Sequence, residues 1–69
     1  MPIVTIHLLE GRDKEKKKQL IATVTEAIVK TLDAPVETVR VILQEMPMEN
    51  YGIAGLPVME YRKSKENIL

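Results

Sequence analysis

Apolar positions along the chain follow two different periods before the sequence turns polar. From Ile3 to Leu9 large apolar and β-branched residues dominate, and Gly11 closes the run. A period of two sets Val4, Ile6 and Leu8 on one face and Ile3, Thr5, His7 and Leu9 on the other. Both faces carry apolar side chains, so this strand is expected to be covered on both sides. From Lys14 to Leu32 the period lengthens. Leu20, Val24, Ile28 and Leu32 recur every fourth residue, with Ile21 and Ala27 widening the stripe, which predicts a helix. Asp13 is its expected N-cap, because a carboxylate there accepts from backbone N–H groups that the first turn leaves free. No Glu or Gln follows at the position that would complete a capping box. Asp33-Ala34-Pro35 stops the helix, since Pro drives the residue before it out of the helical region. The period of two returns over residues 39–45, with Val39, Val41 and Leu43 facing one way and Arg40, Ile42 and Gln44 the other.

Strand, helix and strand at this spacing form one β-α-β unit with parallel strands and a right-handed crossover. The helix covers one sheet face, and nothing else in the chain is long enough to cover the second. After Met46 the texture changes. Pro47 breaks the strand, and Tyr51-Gly52-Ile53-Ala54-Gly55 reads as a tight turn or short hairpin. Pro57 follows, then a polar tail over residues 60–69, either mobile or packed on a neighbour. The expected class is α+β: one domain over residues 1–69, with a parallel β-α-β unit, a short C-terminal hairpin and a tail from about residue 57. Sister subunits would most simply seal the open face and the sheet edges.

Composition sharpens that expectation. A chain of 69 residues buries a modest core and usually needs reinforcement. It has no Cys, hence no disulfide or thiolate metal site, and its single His7 is a poor start for a zinc site. Oligomerisation is the device left. Ten basic and ten acidic side chains cancel, and Tyr51 and Tyr61 are the only aromatics, so neither a basic field nor a stacking platform points to nucleic acid. The apolar runs are too short for a bilayer, and no signal-peptide pattern precedes the first strand, so a cytoplasmic protein without a membrane partner is expected.

Three residues could carry chemistry. The initiator Met1 is normally removed before a small residue such as Pro, which would make Pro2 a secondary amine at the head of the first strand. An α-amine titrates near ~8, and an apolar pocket with cationic neighbours lowers that further. Such a group suits general base work at neutral pH. Taken alone, Pro at position two is common and means little. Arg40 lies inside the second strand, where a guanidinium must be paired or line a site. It is either a substrate group, an edge charge that discourages aggregation, or half of an ion pair with Glu37 or Glu45. Arg12, just after Gly11, reads alone as a solvated loop charge. Together the two arginines would suit a dicarboxylate or keto acid, because a planar guanidinium grips carboxylates in bidentate fashion. His7 reads as a hydrogen-bonded structural residue. Lys14, Lys16, Lys17 and Lys18 read as solvated first turns of the helix, and Met46 and Met48 as filler. Tyr51 stands beside the turn, where it could wall a pocket.

These signals occur in a recognisable order. Pro2-Ile3, Ile6-His7-Leu8-Leu9-Glu10-Gly11-Arg12, Leu32-Asp33-Ala34-Pro35, Val39-Arg40-Val41-Ile42, Glu45-Met46 and Tyr51-Gly52-Ile53-Ala54-Gly55 together resemble the 4-oxalocrotonate tautomerase family. The resemblance covers residue 2 to about residue 56. It implies that Pro2 is the general base, that Arg12 binds the distal carboxylate of the substrate, and that Arg40 holds the carboxylate and enol oxygen near the reacting carbon. It also implies that the Leu9 backbone N–H helps bind substrate and that Tyr51 walls the pocket, at a position where relatives carry Phe. A homohexamer, built as a trimer of dimers with arginines of neighbouring subunits completing each site, is implied too, and neither metal nor cofactor. The reaction implied is isomerisation of a 2-hydroxydienoate such as 2-hydroxymuconate to its 2-oxo form. The alternatives are a dehalogenase or decarboxylase of the same superfamily, or a non-catalytic oligomeric scaffold.

Overall fold

The computed structural model describes residues 2–66, with Glu66 described by its backbone alone. The expected loss of Met1 and the last part of the tail, residues 67–69, therefore lie outside the described residues. Strand β1 spans Ile3–Leu9, helix α1 Lys14–Leu32 and strand β2 Arg40–Met46. A hairpin follows, β3 Gly52–Ile53 and β4 Leu56–Pro57, and then helix α2, Val58–Glu66. Short 3-10 turns at Val36–Thr38 and Met48–Asn50 join the pieces.

β1 and β2 pair in parallel from Ile3 opposite Arg40 to Leu9 opposite Met46. The helix between them has the bounds that its hydrophobic period predicts. Asp13 caps it as expected, its carboxylate accepting from the Lys16 N–H at 2.8 Å. Asp33 ends it in the left-handed region, at φ 54° and ψ 41°, a conformation that Asp tolerates better than most side chains. The second strand begins one residue later than expected. Val39 belongs to the preceding turn, its N–H donating to the Val36 carbonyl at 3.3 Å, and the ladder opens where the Arg40 N–H donates to the Pro2 carbonyl at 3.0 Å.

The two faces of this sheet differ. Val4, Ile6, Leu8, Val41 and Leu43 are half-buried, as are Leu20, Val24 and Ile28 of α1, which runs against β2. On the opposite face Ile3 is 59% exposed and Ile42 48%. The uncovered apolar face expected from the pattern is present in the single chain.

Beyond β2 the chain departs from expectation in one element. Residues 58–66 form a helix where the pattern suggested a polar tail. Few apolar residues mark it, yet its residues are mostly sound helix formers. Glu60 lies in its first turn and Lys63 and Lys65 in its last, an arrangement that suits the helix dipole. Lys65 Nζ also lies 5.6 Å from the centre of the Tyr61 ring, one turn back. α2 packs on the hairpin and on the Met48–Asn50 turn. Ala54 and Gly55, at φ 53° and 84°, give the hairpin the two left-handed residues that a tight two-residue connection demands. Val58, 1% exposed, is the fully buried centre of this arm, and its N–H donates to the Tyr51 carbonyl at 2.8 Å.

The single chain is open and long. Its radius of gyration is 16.3 Å, where a compact chain of this length has about 11 Å. Its accessible surface is 5591 Å², against about 4400 Å² for a folded monomer of its mass. Among the described residues, no helix is long and apolar enough to cross a membrane.

Candidate active site

The residues singled out in the sequence fall into two groups. Pro2 and Arg40 stand at the head of the sheet, joined by the hydrogen bond that opens the ladder. Pro2 is half-buried, directly ahead of β1, so the strand fixes its direction. Arg40 is exposed and belongs to the uncovered face. Its guanidinium donates through Nη1 to the Glu37 carbonyl. The ion pair considered with Glu37 or Glu45 does not form. Glu45 pairs instead with Lys17, Nζ to Oε1 at 3.2 Å. One guanidinium donor is thus used to fix Arg40, and among the described residues no carboxylate competes for the rest.

The second group lies at the far end of the strands. Leu9, Arg12 and Tyr51 line one cleft of about 280 Å³ together with His7, Leu8 and Met46. Arg12 has no carboxylate partner among the described residues. Tyr51 is 42% exposed, and its backbone is tied on both sides: its N–H donates to the Met48 carbonyl at 3.2 Å and its carbonyl accepts from Val58.

His7 corrects an expectation. It is exposed, lines this cleft, and takes part in none of the side-chain hydrogen bonds among the described residues. Met46 was read as filler, yet it lines the cleft as the register partner of Leu9. The signal for both lies in the period of two, which sets His7 with Leu9 on one strand and Met46 with Ile42 and Gln44 on the other.

The two groups do not meet within one chain. A seven-residue strand spans roughly 20 Å, and Pro2 with Arg40 occupies one end of it, Arg12 with Tyr51 the other. One end offers a half-buried proline whose carbonyl accepts from the Arg40 backbone, with the Arg40 guanidinium turned to the Glu37 carbonyl. The other offers a guanidinium, a phenol and an imidazole around an apolar floor.

The sequence model described as tautomerase enzyme matches residues 2–61 of this chain. The chain belongs to the tautomerase family. It is 48% identical over 63 residues to 2-hydroxymuconate tautomerase of Pseudomonas putida, a match covering 91% of this tautomerase and 100% of the relative. Among solved structures it resembles TomN, a 4-oxalocrotonate tautomerase homologue of the tomaymycin biosynthetic pathway, with a TM-score of 0.87 and 41% identity over 93% of this chain and 98% of that one. It also resembles a heterohexamer 4-oxalocrotonate tautomerase from Chloroflexus aurantiacus, with a TM-score of 0.83 and 33% identity over 87% of this chain and 97% of that one. The family assignment makes this tautomerase an enzyme of the isomerase class, and the solved relatives share its α+β fold.

Proposed function

We propose that this tautomerase converts a 2-hydroxydienoate such as 2-hydroxymuconate into its 2-oxo isomer, with Pro2 as the general base. The observation that carries the proposal is the division of the candidate residues into two half-sites at opposite ends of one sheet, Pro2 with Arg40 and Arg12 with Tyr51. Each half lacks what the other holds. A neighbouring subunit, seated on the uncovered apolar face, would bring them together. The surface in excess of a compact monomer, roughly 1200 Å², is ample for such a contact. A homohexamer arranged as a trimer of dimers fits this need, and the heterohexameric relative supports that order of assembly. The family match beginning at Pro2 supports a processed terminus there.

In the proposed reaction Arg12 grips the distal carboxylate, with the Leu9 N–H and the Tyr51 ring shaping that end. The uncharged Pro2 nitrogen takes the proton of the 2-hydroxyl. The electrons of the O–H bond form the C2 carbonyl, the conjugated double bonds shift, and negative charge spreads over the dienolate. Arg40 stabilises that charge where it develops, with a donor already fixed in place. The prolinium then returns the proton to a chain carbon. The substrate's own conjugation carries the charge, so these steps call on no cofactor. Among the described residues the cleft lining contains no carboxylate that could activate water, which favours isomerisation over a hydrolytic dehalogenase.

The test is an ultraviolet assay of 2-hydroxymuconate on protein whose amino terminus is verified as Pro2 by intact mass. Turnover is expected, with loss of activity when Met1 or a tag is retained. Steady halide release from 3-haloacrylates with no turnover of 2-hydroxymuconate would replace this reading with the dehalogenase.

A further inference from the structure

Arg12 and Tyr51 line the same cleft, and the floor around them is Leu8, Leu9 and Met46. A carboxylate entering that cleft has about four lone-pair positions to satisfy. A bidentate guanidinium takes two of them. The remaining positions face the apolar floor, His7 or solvent at the open side of the cleft, and a fixed second donor there would hold the anion more tightly.

The Tyr51 hydroxyl is such a donor and is not otherwise engaged. None of the side-chain hydrogen bonds among the described residues involves it. Its backbone is held by the Met48 carbonyl on one side and by the Val58 N–H on the other, and Val58 is the fully buried anchor of the C-terminal arm. Only two side-chain torsions remain to be ordered when ligand binds, so little entropy opposes the contact.

We infer that the Tyr51 hydroxyl is a specificity-determining group, donating a hydrogen bond to the carboxylate that Arg12 holds and so selecting dicarboxylates over monocarboxylates of the same length. This rests on the proposed function for the choice of substrate end, but the contact itself requires no turnover.

The test therefore compares binding first. trans,trans-Muconate and sorbate share a six-carbon chain with a conjugated diene and one carboxylate, and differ in whether the far end is a carboxylate or a methyl. Their dissociation constants are measured by calorimetry on the assembled wild-type protein and on Tyr51→Phe, which keeps the ring and removes the hydroxyl. Light scattering checks that the variant retains its oligomeric state. The variant should bind muconate roughly tenfold more weakly, the effect of one hydrogen bond to a charged group. Sorbate binding should change by less than about twofold, because its methyl end offers the Tyr51 hydroxyl no acceptor. In turnover, KM for 2-hydroxymuconate should rise while kcat stays close to wild type.

Equal weakening of both ligands would show a packing role and overturn the inference, as would no change in either or a wild-type protein that binds neither. Selective loss of muconate binding in a protein that fails to isomerise 2-hydroxymuconate would uphold the inference and remove the proposed reaction. Normal isomerisation with Tyr51→Phe indistinguishable from wild type would do the reverse.

Discussion

Arg40 gives one guanidinium donor to the Glu37 carbonyl and leaves the others without a competing anion among the described residues. That is an oriented cation, though an exposed one in the single chain, and orientation before charge develops is what lowers a barrier. Arg40→Ala should lower kcat by about 10²-fold while raising KM by much less, since the contact strengthens in the transition state. Steady-state kinetics on 2-hydroxymuconate read the split, and a variant with wild-type kcat would count against the role. Pro2→Ala keeps an amine at the same place but changes its class and geometry. A loss of about 10²-fold or more in kcat is expected with assembly intact, checked by kinetics alongside light scattering.

At the level of elements, most of the frame is legible in residue order. The four-residue recurrence from Leu20 to Leu32 fixes α1, and Asp13 caps it as its chemistry demands. Asp13→Ala should cost about 1 kcal/mol, read by urea unfolding at fixed protein concentration because an oligomer's stability depends on it. α2 was not legible, because its one fully buried residue, Val58, adjoins Pro57 and the rest of the segment is mainly polar. Its order comes from packing on the hairpin, a contact between segments that no local period reports. The one-residue delay of β2 has a local origin instead, since the Val36–Thr38 turn claims Val39. Within the site, the residue types were legible, and the place of His7 beside Leu9 follows from the strand period. That His7 makes no side-chain hydrogen bond among the described residues depends on what the fold sets around the cleft, which no local period reports.

For the whole molecule, the open sheet face and the long, thin chain make a single subunit an incomplete object. Ile3 and Ile42 are apolar side chains about half exposed in the single chain, and burial of such a face is the ordinary driving force for assembly. If Pro2 of one subunit works with Arg12 of another, two inactive variants should rescue each other. Co-refolded Pro2→Ala and Arg12→Ala subunits in equal amounts should recover about a quarter of the wild-type sites, the share in which both contributors are intact. Activity no higher than that of either variant alone would place both groups in one subunit's site, against the roughly 20 Å strand between them.

The account rests most heavily on an uncharged nitrogen at Pro2, and isotope-edited NMR of that nitrogen across a pH titration of the assembled enzyme measures it directly. The expected midpoint lies below that of an unstructured peptide beginning Pro-Ile, lowered by the apolar cleft and by neighbouring guanidinium groups. A midpoint equal to or above the peptide's would leave Pro2 charged at neutral pH and contradict its role as the base.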